Sequence, residues 1–302
     1  MKSVPRRLAA IPVVLTLGAA AALAVASTGG PTTSVARPVA AVSYARGPAP
    51  TLSGIRAQRG PFTYSTVTVT AGQAGGAFGG GTIYYPDDTS QGTFGGVAAV
   101  PGYKSSEKAV AWLGPRLASQ GFVVFTIATN SLTNQPTARG QQLLAALNYL
   151  TGKSPAAVRQ RLDPKRLAVT GHSMGGGGTL YAAWKRPSLK AAIPLAPWHT
   201  TKNWSGITVP TLVQGGTQDT TAPVGTFAKP IYRSLTSARE RAYAEIANAV
   251  HGTFARGNPL IGELEVAWLK RFVDDDARYE QFLCPAPTDS GLTAYRDSCP
   301  SS

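Results

Sequence analysis

Arg166-Leu-Ala-Val-Thr-Gly171-His172-Ser173-Met174-Gly175-Gly-Gly-Gly178 is the stretch on which the fold turns. A short apolar β-type run, Leu167 to Thr170, leads into Gly171-x-Ser173-x-Gly175, and a glycine-rich helix start follows. Gly-x-Ser-x-Gly between a strand and a helix is the pattern of a nucleophile elbow. Small flanking residues let neighbouring chain pass close, and the tight turn strains the serine backbone and presents its hydroxyl. The competing reading is a glycine-rich turn with an idle serine, and the strand-before, helix-after setting weighs against it.

Strands and helices alternate outward from this point. Thr63 to Thr70 reads as an edge strand, Ala71 to Gly81 as a hairpin turn, and Thr82 to Tyr85 as its return. The turn's glycines are not a phosphate cradle, because no Gly-Lys-Ser/Thr follows them. Val97–Val100 is a predicted strand, and Ser105 or Ser106 is expected to cap a helix running to Ala118 and stopped by Gly121. Phe122–Ile127, Leu167–Thr170, Ala191–Leu195 and Val209–Val213 follow as strands, with helices over 139–150 and 174–184. Arg241–Ile246 is expected as the last strand and 261–272 as the closing helix. Such alternation predicts a single-domain α/β fold: a mostly parallel twisted sheet with helices on both faces. Only residues 196–208 lie between two strands after the elbow helix, too few for a lid, so an open site is expected.

A serine hydroxyl needs a base to accept its proton and a carboxylate to orient that base. The chain has three histidines. His172 belongs to the elbow and cannot fold back onto its neighbour's hydroxyl; His199 precedes any suitable acid; His251 follows the last predicted strand and is the base. Between Ser173 and His251 the acids are Asp219, Glu240 and Glu245. Only Asp219 sits just past a strand's C-terminal end, where open α/β sheets gather their functional groups. The triad is therefore expected to be Ser173, Asp219 and His251. Two backbone N–H groups are needed for a developing oxyanion. Met174, next to the serine, supplies one, and Tyr103, in the turn after Val97–Val100, is the candidate for the other.

The N-terminus carries Lys2, Arg6 and Arg7, then an apolar run from Leu8 to Ala26. It reads as a secretory signal and leader over residues 1–44, with the catalytic domain over 45–302. Ala24-Val25-Ala26 is a candidate cleavage site; a twin-arginine route and a retained membrane anchor stay open as alternatives. Cys284 and Cys299 are the only cysteines, and export makes a disulfide between them the expectation, contributing roughly 3 kcal/mol in the chain-entropy model. Formal charge is +14, yet the Lys and Arg residues are scattered, and no basic helix or stacking motif gathers them. Nucleic acid is excluded as a partner on that ground. Weak attraction to carboxylate-bearing surfaces is what remains.

Together these residues resemble the actinobacterial cutinases, a family that includes polyester and PET hydrolases. The resemblance is carried by Gly79-Gly-Gly-Thr-Ile-Tyr-Tyr-Pro86, Ala111-Trp-Leu-Gly114, Gly171-His-Ser-Met-Gly-Gly-Gly-Gly178, Ala192-Ile-Pro-Leu-Ala-Pro-Trp-His199, Ala267-Trp-Leu-Lys-Arg-Phe-Val-Asp274 and Arg278-Tyr. It implies a lidless α/β-hydrolase that cleaves esters through an acyl-enzyme, with the same triad and oxyanion residues. It further implies that Trp198 lies along the cleft as an aromatic platform. The expectation is a secreted, monomeric serine esterase acting on polyester or small esters, without cofactor and without stable membrane association. A general triacylglycerol lipase or carboxylesterase is the alternative, and a polymer-binding homologue without activity the more distant one.

Departures from the family pattern fall on substrate-binding positions. Thr221 stands where relatives often carry Ile, and Gly252 where they commonly carry Phe, which implies a wider cleft with a weaker grip on an aromatic ring. Three acidic positions that bind calcium in thermophilic members match Thr217, Ala247 and Thr293, poor ligands for a hard cation, so no metal is expected there. Ala128 replaces the relatives' Asp, and nothing explains that change.

Overall fold

The computed structural model describes residues 44–298. The predicted leader, except for its last residue, and Cys299 lie outside the described residues. Among these, the helices are α1 (Leu52–Arg56), α2 (Leu113–Ser119), α3 (Pro136–Gly152), α4 (Ala156–Arg159), α5 (Met174–Lys185), α6 (Ala228–Ser234) and α7 (Pro259–Phe272). The strands are β1 (Tyr64–Val69), β2 (Gly81–Pro86), β3 (Phe94–Val100), β4 (Phe122–Ile127), β5 (Leu162–His172), β6 (Ala191–Leu195), β7 (Thr211–Gly216), β8 (Arg241–Ile246) and β9 (Leu292–Asp297).

The strands form one sheet in the order β1-β2-β4-β3-β5-β6-β7-β8-β9. From β4 to β8 every pairing is parallel; β1–β2, β2–β4 and β8–β9 are antiparallel. Strands β3, β4, β6 and β7 are buried along their whole length, as a sheet covered on both faces requires. One core lies on each face, the first including Leu143, Leu147 and Leu180 from α3 and α5, the second including Leu117, Leu264 and Trp268 from α2 and α7. This is the α/β-hydrolase architecture.

Several expectations need correction. The helix expected from Ser105 or Ser106 to Ala118 is broken into a 3-10 turn, Glu107–Ala109, and α2. Pro115 lies within that span; it lacks an N–H and its ring clashes with the carbonyl four residues back, so one continuous helix cannot form. Arg241–Ile246 is not the last strand: the tail beyond the closing helix returns as β9 and pairs with β8. Helices α1, α4 and α6, of five, four and seven residues, were not expected. Each is too short to stand on local propensity.

Below the elbow lies a buried carboxyl group. Thr170 Oγ1 is 2.8 Å from the Ile193 carbonyl and 2.9 Å from Glu265 Oε1. One hydroxyl proton cannot serve both acceptors, whereas a protonated Glu265 can donate to Thr170 while Thr170 donates to Ile193. Burial in turn raises the Glu265 pKa from 4.5 to about 8. A carboxyl whose folded pKa is raised stabilises fully below its unfolded value, and that contribution is lost as pH rises through the folded value. Glu265→Gln removes the ionisation, so its melting temperature should gain on the parent's between about pH 5 and pH 8.5. A difference that stays constant over that range refutes the assignment.

Candidate active site

Ser173, Asp219 and His251 lie on one edge of the sheet. Ser173 follows the C-terminal end of β5, Asp219 comes three residues after β7, and His251 opens a 3-10 turn (His251–Ala255) beyond β8. Parallel strands carry their C-terminal ends to the same side, so residues far apart in the chain converge there.

Ser173 has φ 59° and ψ −121°, a left-handed conformation that a non-glycine residue avoids. The surrounding packing imposes it. A Cβ on Gly171 would lie 2.6 Å from the Gly175 carbonyl, and one on Gly175 would lie 2.3 Å from the Val100 carbonyl. Glycine is the only residue that lets β3, the elbow and α5 approach so closely. The Ser173 N–H donates to the Leu195 carbonyl (2.9 Å), and its carbonyl accepts from the Gly177 and Trp198 N–H groups (3.0 and 2.9 Å).

The structure brings the three side chains together. His251 Nε2 is 2.8 Å from Ser173 Oγ, and His251 Nδ1 is 2.7 Å from Asp219 Oδ2. The other Asp219 oxygen accepts from the backbone N–H groups of Thr221 (2.9 Å) and Ala222 (2.7 Å). Burial alone would raise the Asp219 pKa, but these three hydrogen bonds and the adjacent imidazole outweigh it, and the net shift is downward. Asp219 is therefore a carboxylate at neutral pH, with both oxygens engaged. A neutral His251 beside it carries its proton on Nδ1 and turns the Nε2 lone pair toward the serine.

Neither other histidine stands in this chain of contacts. His199 Nδ1 accepts from Thr201 N–H, and its ring packs edge-on against Trp204. His172 lies under His251, ring centroids 4.6 Å apart, and its Nε2 donates to the His251 carbonyl at 3.0 Å. Burial, then the neighbouring His251, lower its pKa to about 4, so it stays neutral. Glu240 accepts from Ser298, and Glu245 is held by Tyr243 and Lys229.

Met174 is the first residue of α5, where helical bonding leaves the N–H without an intrahelical partner. Tyr103 lies in the turn after β3 with its ring partly exposed, and a Cβ on the preceding Gly102 would come 2.9 Å from Ser173 Cβ. That loop therefore passes directly against the serine. Trp198 is half-buried, its ring 5.8 Å from that of Phe227 at 30°, with Lys202 Nζ 4.0 Å from the Phe227 centroid. Thr221 is exposed, and Gly252 faces open space, with no heavy atom within 4 Å of a Cβ added there. Residues 196–210 contain neither helix nor strand. The sequence reading missed Phe227 and the His172–His251 contact. The signal for Phe227 was an aromatic residue in the loop between Asp219 and the next helix; for His172 there was none, because only tertiary folding places it under His251.

Thr217, Ala247 and Thr293 lie near the ends of β7, β8 and β9; the Thr217 hydroxyl accepts from Asn248 N–H, and Thr293 donates to Glu245. Among the described residues no cluster of three His, Cys, Asp or Glu side chains could hold a metal ion, and no helix is long and apolar enough to cross a membrane.

Comparison with known proteins bears on this geometry. The model of the PET hydrolase-like family matches residues 39–300. A bis(hydroxyethyl) terephthalate hydrolase of Streptomyces coelicolor is 52% identical over 301 residues, covering 99% of this chain and 94% of that protein. A cutinase of Thermobifida fusca is 53% identical over 271 residues (88% of this chain, 89% of that protein). Cutinase 1 of Thermobifida cellulosilytica is 54% identical over 260 residues (85% and 98%). With similarity of this extent on an α/β-hydrolase scaffold, the chain belongs to the PET hydrolase-like family and is a carboxylic ester hydrolase.

Proposed function

We propose that this protein is a secreted serine esterase that cleaves polyesters and small esters through an acyl-enzyme. The observation that carries the reading is the continuous contact Ser173–His251–Asp219, at 2.8 and 2.7 Å. In the first half-reaction Ser173 Oγ bonds to the ester carbonyl carbon as its proton passes to His251 Nε2. The carbonyl oxygen takes the electron pair and is met by the N–H groups of Tyr103 and Met174. Collapse breaks the bond to the alkoxy oxygen, which leaves with the proton held by His251. Water, deprotonated by the same imidazole, then bonds to the acyl carbon; the bond to Ser173 breaks, and the proton returns to its oxygen. Asp219 holds the imidazole in the working tautomer and stabilises its charged form throughout.

Polyester substrates are supported by relatives named as cutinases and as a bis(hydroxyethyl) terephthalate hydrolase, and by the absence of any helix or strand over 196–210 that could roof the site. Trp198 serves as a platform for an acyl or terephthaloyl ring beside the nucleophile. The Lys- and Arg-led apolar N-terminus is assigned to export, Cys284 to a disulfide with Cys299, and the working unit to a monomer. The test is a pre-steady-state burst of p-nitrophenol from a p-nitrophenyl ester, equal in amount to the enzyme. Absence of both burst and turnover defeats the reading and leaves a polymer-binding homologue.

Thr221 and Gly252 leave one wall of the cleft small and open. A Cβ at Gly252 has no heavy atom within 4 Å, so Gly252→Phe starts into open space and adds a ring next in the chain to His251. An aromatic contact of about 1 kcal/mol corresponds to roughly fivefold. Gly252→Phe and Thr221→Ile are therefore expected to raise kcat/KM on bis(hydroxyethyl) terephthalate about fivefold relative to p-nitrophenyl butyrate. Equal changes on both substrates would show that neither position touches the ring.

A further inference from the structure

Arg139, in the first turn of α3, is fully buried, with 0% of its surface exposed. Burying a guanidinium is costly unless its donors are met, and here backbone carbonyls alone meet them. Nη1 donates to Pro101 (2.9 Å), Nη2 to Leu132 (2.8 Å) and Nε to Asn134 (2.8 Å). Desolvation lowers its pKa to about 10, so it remains charged at neutral pH. A core needing only volume would be filled more cheaply by an apolar side chain.

The three carbonyls belong to two loops at the active edge. Pro101 lies two residues before Tyr103. On the other side, Lys104 N–H donates to the same Leu132 carbonyl that accepts from Arg139, at 2.8 Å. Lys104 has φ 54°, a left-handed conformation that must be held from outside. The chain on both sides of Tyr103 is thus tied to one guanidinium, directly at Pro101 and through Leu132 at Lys104. The strap that carries Leu132 is itself fixed: Asn134 Oδ1 accepts from Ser131 N–H and Gln142 Nε2, and Gln142 Oε1 accepts from Asn130 N–H.

We propose that Arg139 is a positioning residue for the oxyanion site, a rigid fork behind the loop that fixes the direction of the Tyr103 N–H relative to Ser173. The inference rests on the roles of Ser173 and Tyr103 proposed above. A donor aimed at the developing oxyanion contributes in the transition state and little in the ground state, so its misalignment lowers kcat rather than raising KM.

Arg139→Met keeps side-chain length and removes the fork; Arg139→Lys keeps the charge and a donor. With p-nitrophenyl butyrate, Arg139→Met should lower kcat about 30- to 100-fold with KM within about threefold, and Arg139→Lys should recover part of the loss. Affinity for phenylboronic acid, whose tetrahedral adduct with the serine sets an oxygen at the Tyr103 and Met174 amides, should fall by the same factor as kcat/KM. A merely structural arginine would move the melting temperature and leave both readouts of the folded protein near the parent's. A folded Arg139→Met variant with kcat within twofold of the parent, or with unchanged boronate affinity, overturns the proposal. Should Arg139→Met not fold, the double change Leu132→Gly/Thr133→Gly loosens the strap at exposed positions and is expected to lower kcat about fivefold at constant KM; unchanged kcat overturns the proposal equally. Turnover persisting in Ser173→Ala would defeat the serine mechanism and this inference with it, whereas an inactive Ser173→Ala beside a fully active Arg139→Met defeats the clamp alone.

Discussion

Ser173→Ala is expected to lower kcat on p-nitrophenyl butyrate about a million-fold, and Asp219→Asn about ten-thousand-fold, both with melting temperatures close to the parent's. On the mechanism proposed above, the serine change removes the atom that bonds to the acyl carbon, leaving only binding and the oxyanion donors. The Asp219 effect follows from which oxygen does what. Oδ1 accepts from Thr221 and Ala222 N–H, so the oxygen of an asparagine must take that place and its NH2 must face His251 Nδ1. His251 would then accept at Nδ1 and carry its proton on Nε2, directed at the serine, where a base cannot serve. Raising the pH does not correct the wrong tautomer, so the deficit should persist to pH 9. A Ser173→Ala variant within a hundredfold of the parent, or an Asp219→Asn variant rescued by alkali, would contradict these assignments.

Asp274→Ala is expected to cost about 3–5 kcal/mol of stability, a fall in melting temperature on the order of 10 °C for a domain of this size. Asp274 is wholly buried and accepts from Arg166 Nη1 (2.7 Å) and Lys270 Nζ (2.9 Å), both also buried. Lys270 Nζ is also 4.8 Å from the Phe122 ring centroid, and Arg166 is tied to Asp163 and the Thr93 carbonyl. Removing the carboxylate strands Lys270 in a low-dielectric core, whereas Arg166 keeps Asp163, and the lysine left behind accounts for most of the penalty. Adding Lys270→Met should recover part of the loss; a double variant no more stable than Asp274→Ala would show that the stranded lysine is not its source. Arg166 lies seven residues before Ser173 on β5, roughly 23 Å at strand rise, so kcat of the folded fraction should be unaffected.

The residues of the site were legible because their constraints are local or countable. The elbow needs glycine at Gly171 and Gly175 for reasons of close approach, and such spacing survives in sequence. Three histidines and three intervening acids left few combinations to weigh. The central strands were legible because burial on both faces makes them continuous apolar runs. What escaped depends on tertiary pairing. Nothing local distinguishes Leu292–Asp297 from a loop until β8 offers it hydrogen bonds, and α6 is only seven residues long. Arg139 looked like any polar residue at a helix start, because the carbonyls it binds lie in segments it meets only after folding.

Strand β9 bears on what happens when the chain is shortened or loosened. Five of the six residues of β8 are buried, and β9 occupies its outer row of hydrogen-bonding groups. Were β9 to detach, the sheet would present an apolar ribbon with unpaired amides and carbonyls, a template on which another copy could add a strand. β9 itself closes that side with Arg296 and Asp297, charges that a second strand would have to desolvate. The segment that reads as a frayed tail thus covers the edge on which another copy of the chain could otherwise add a strand.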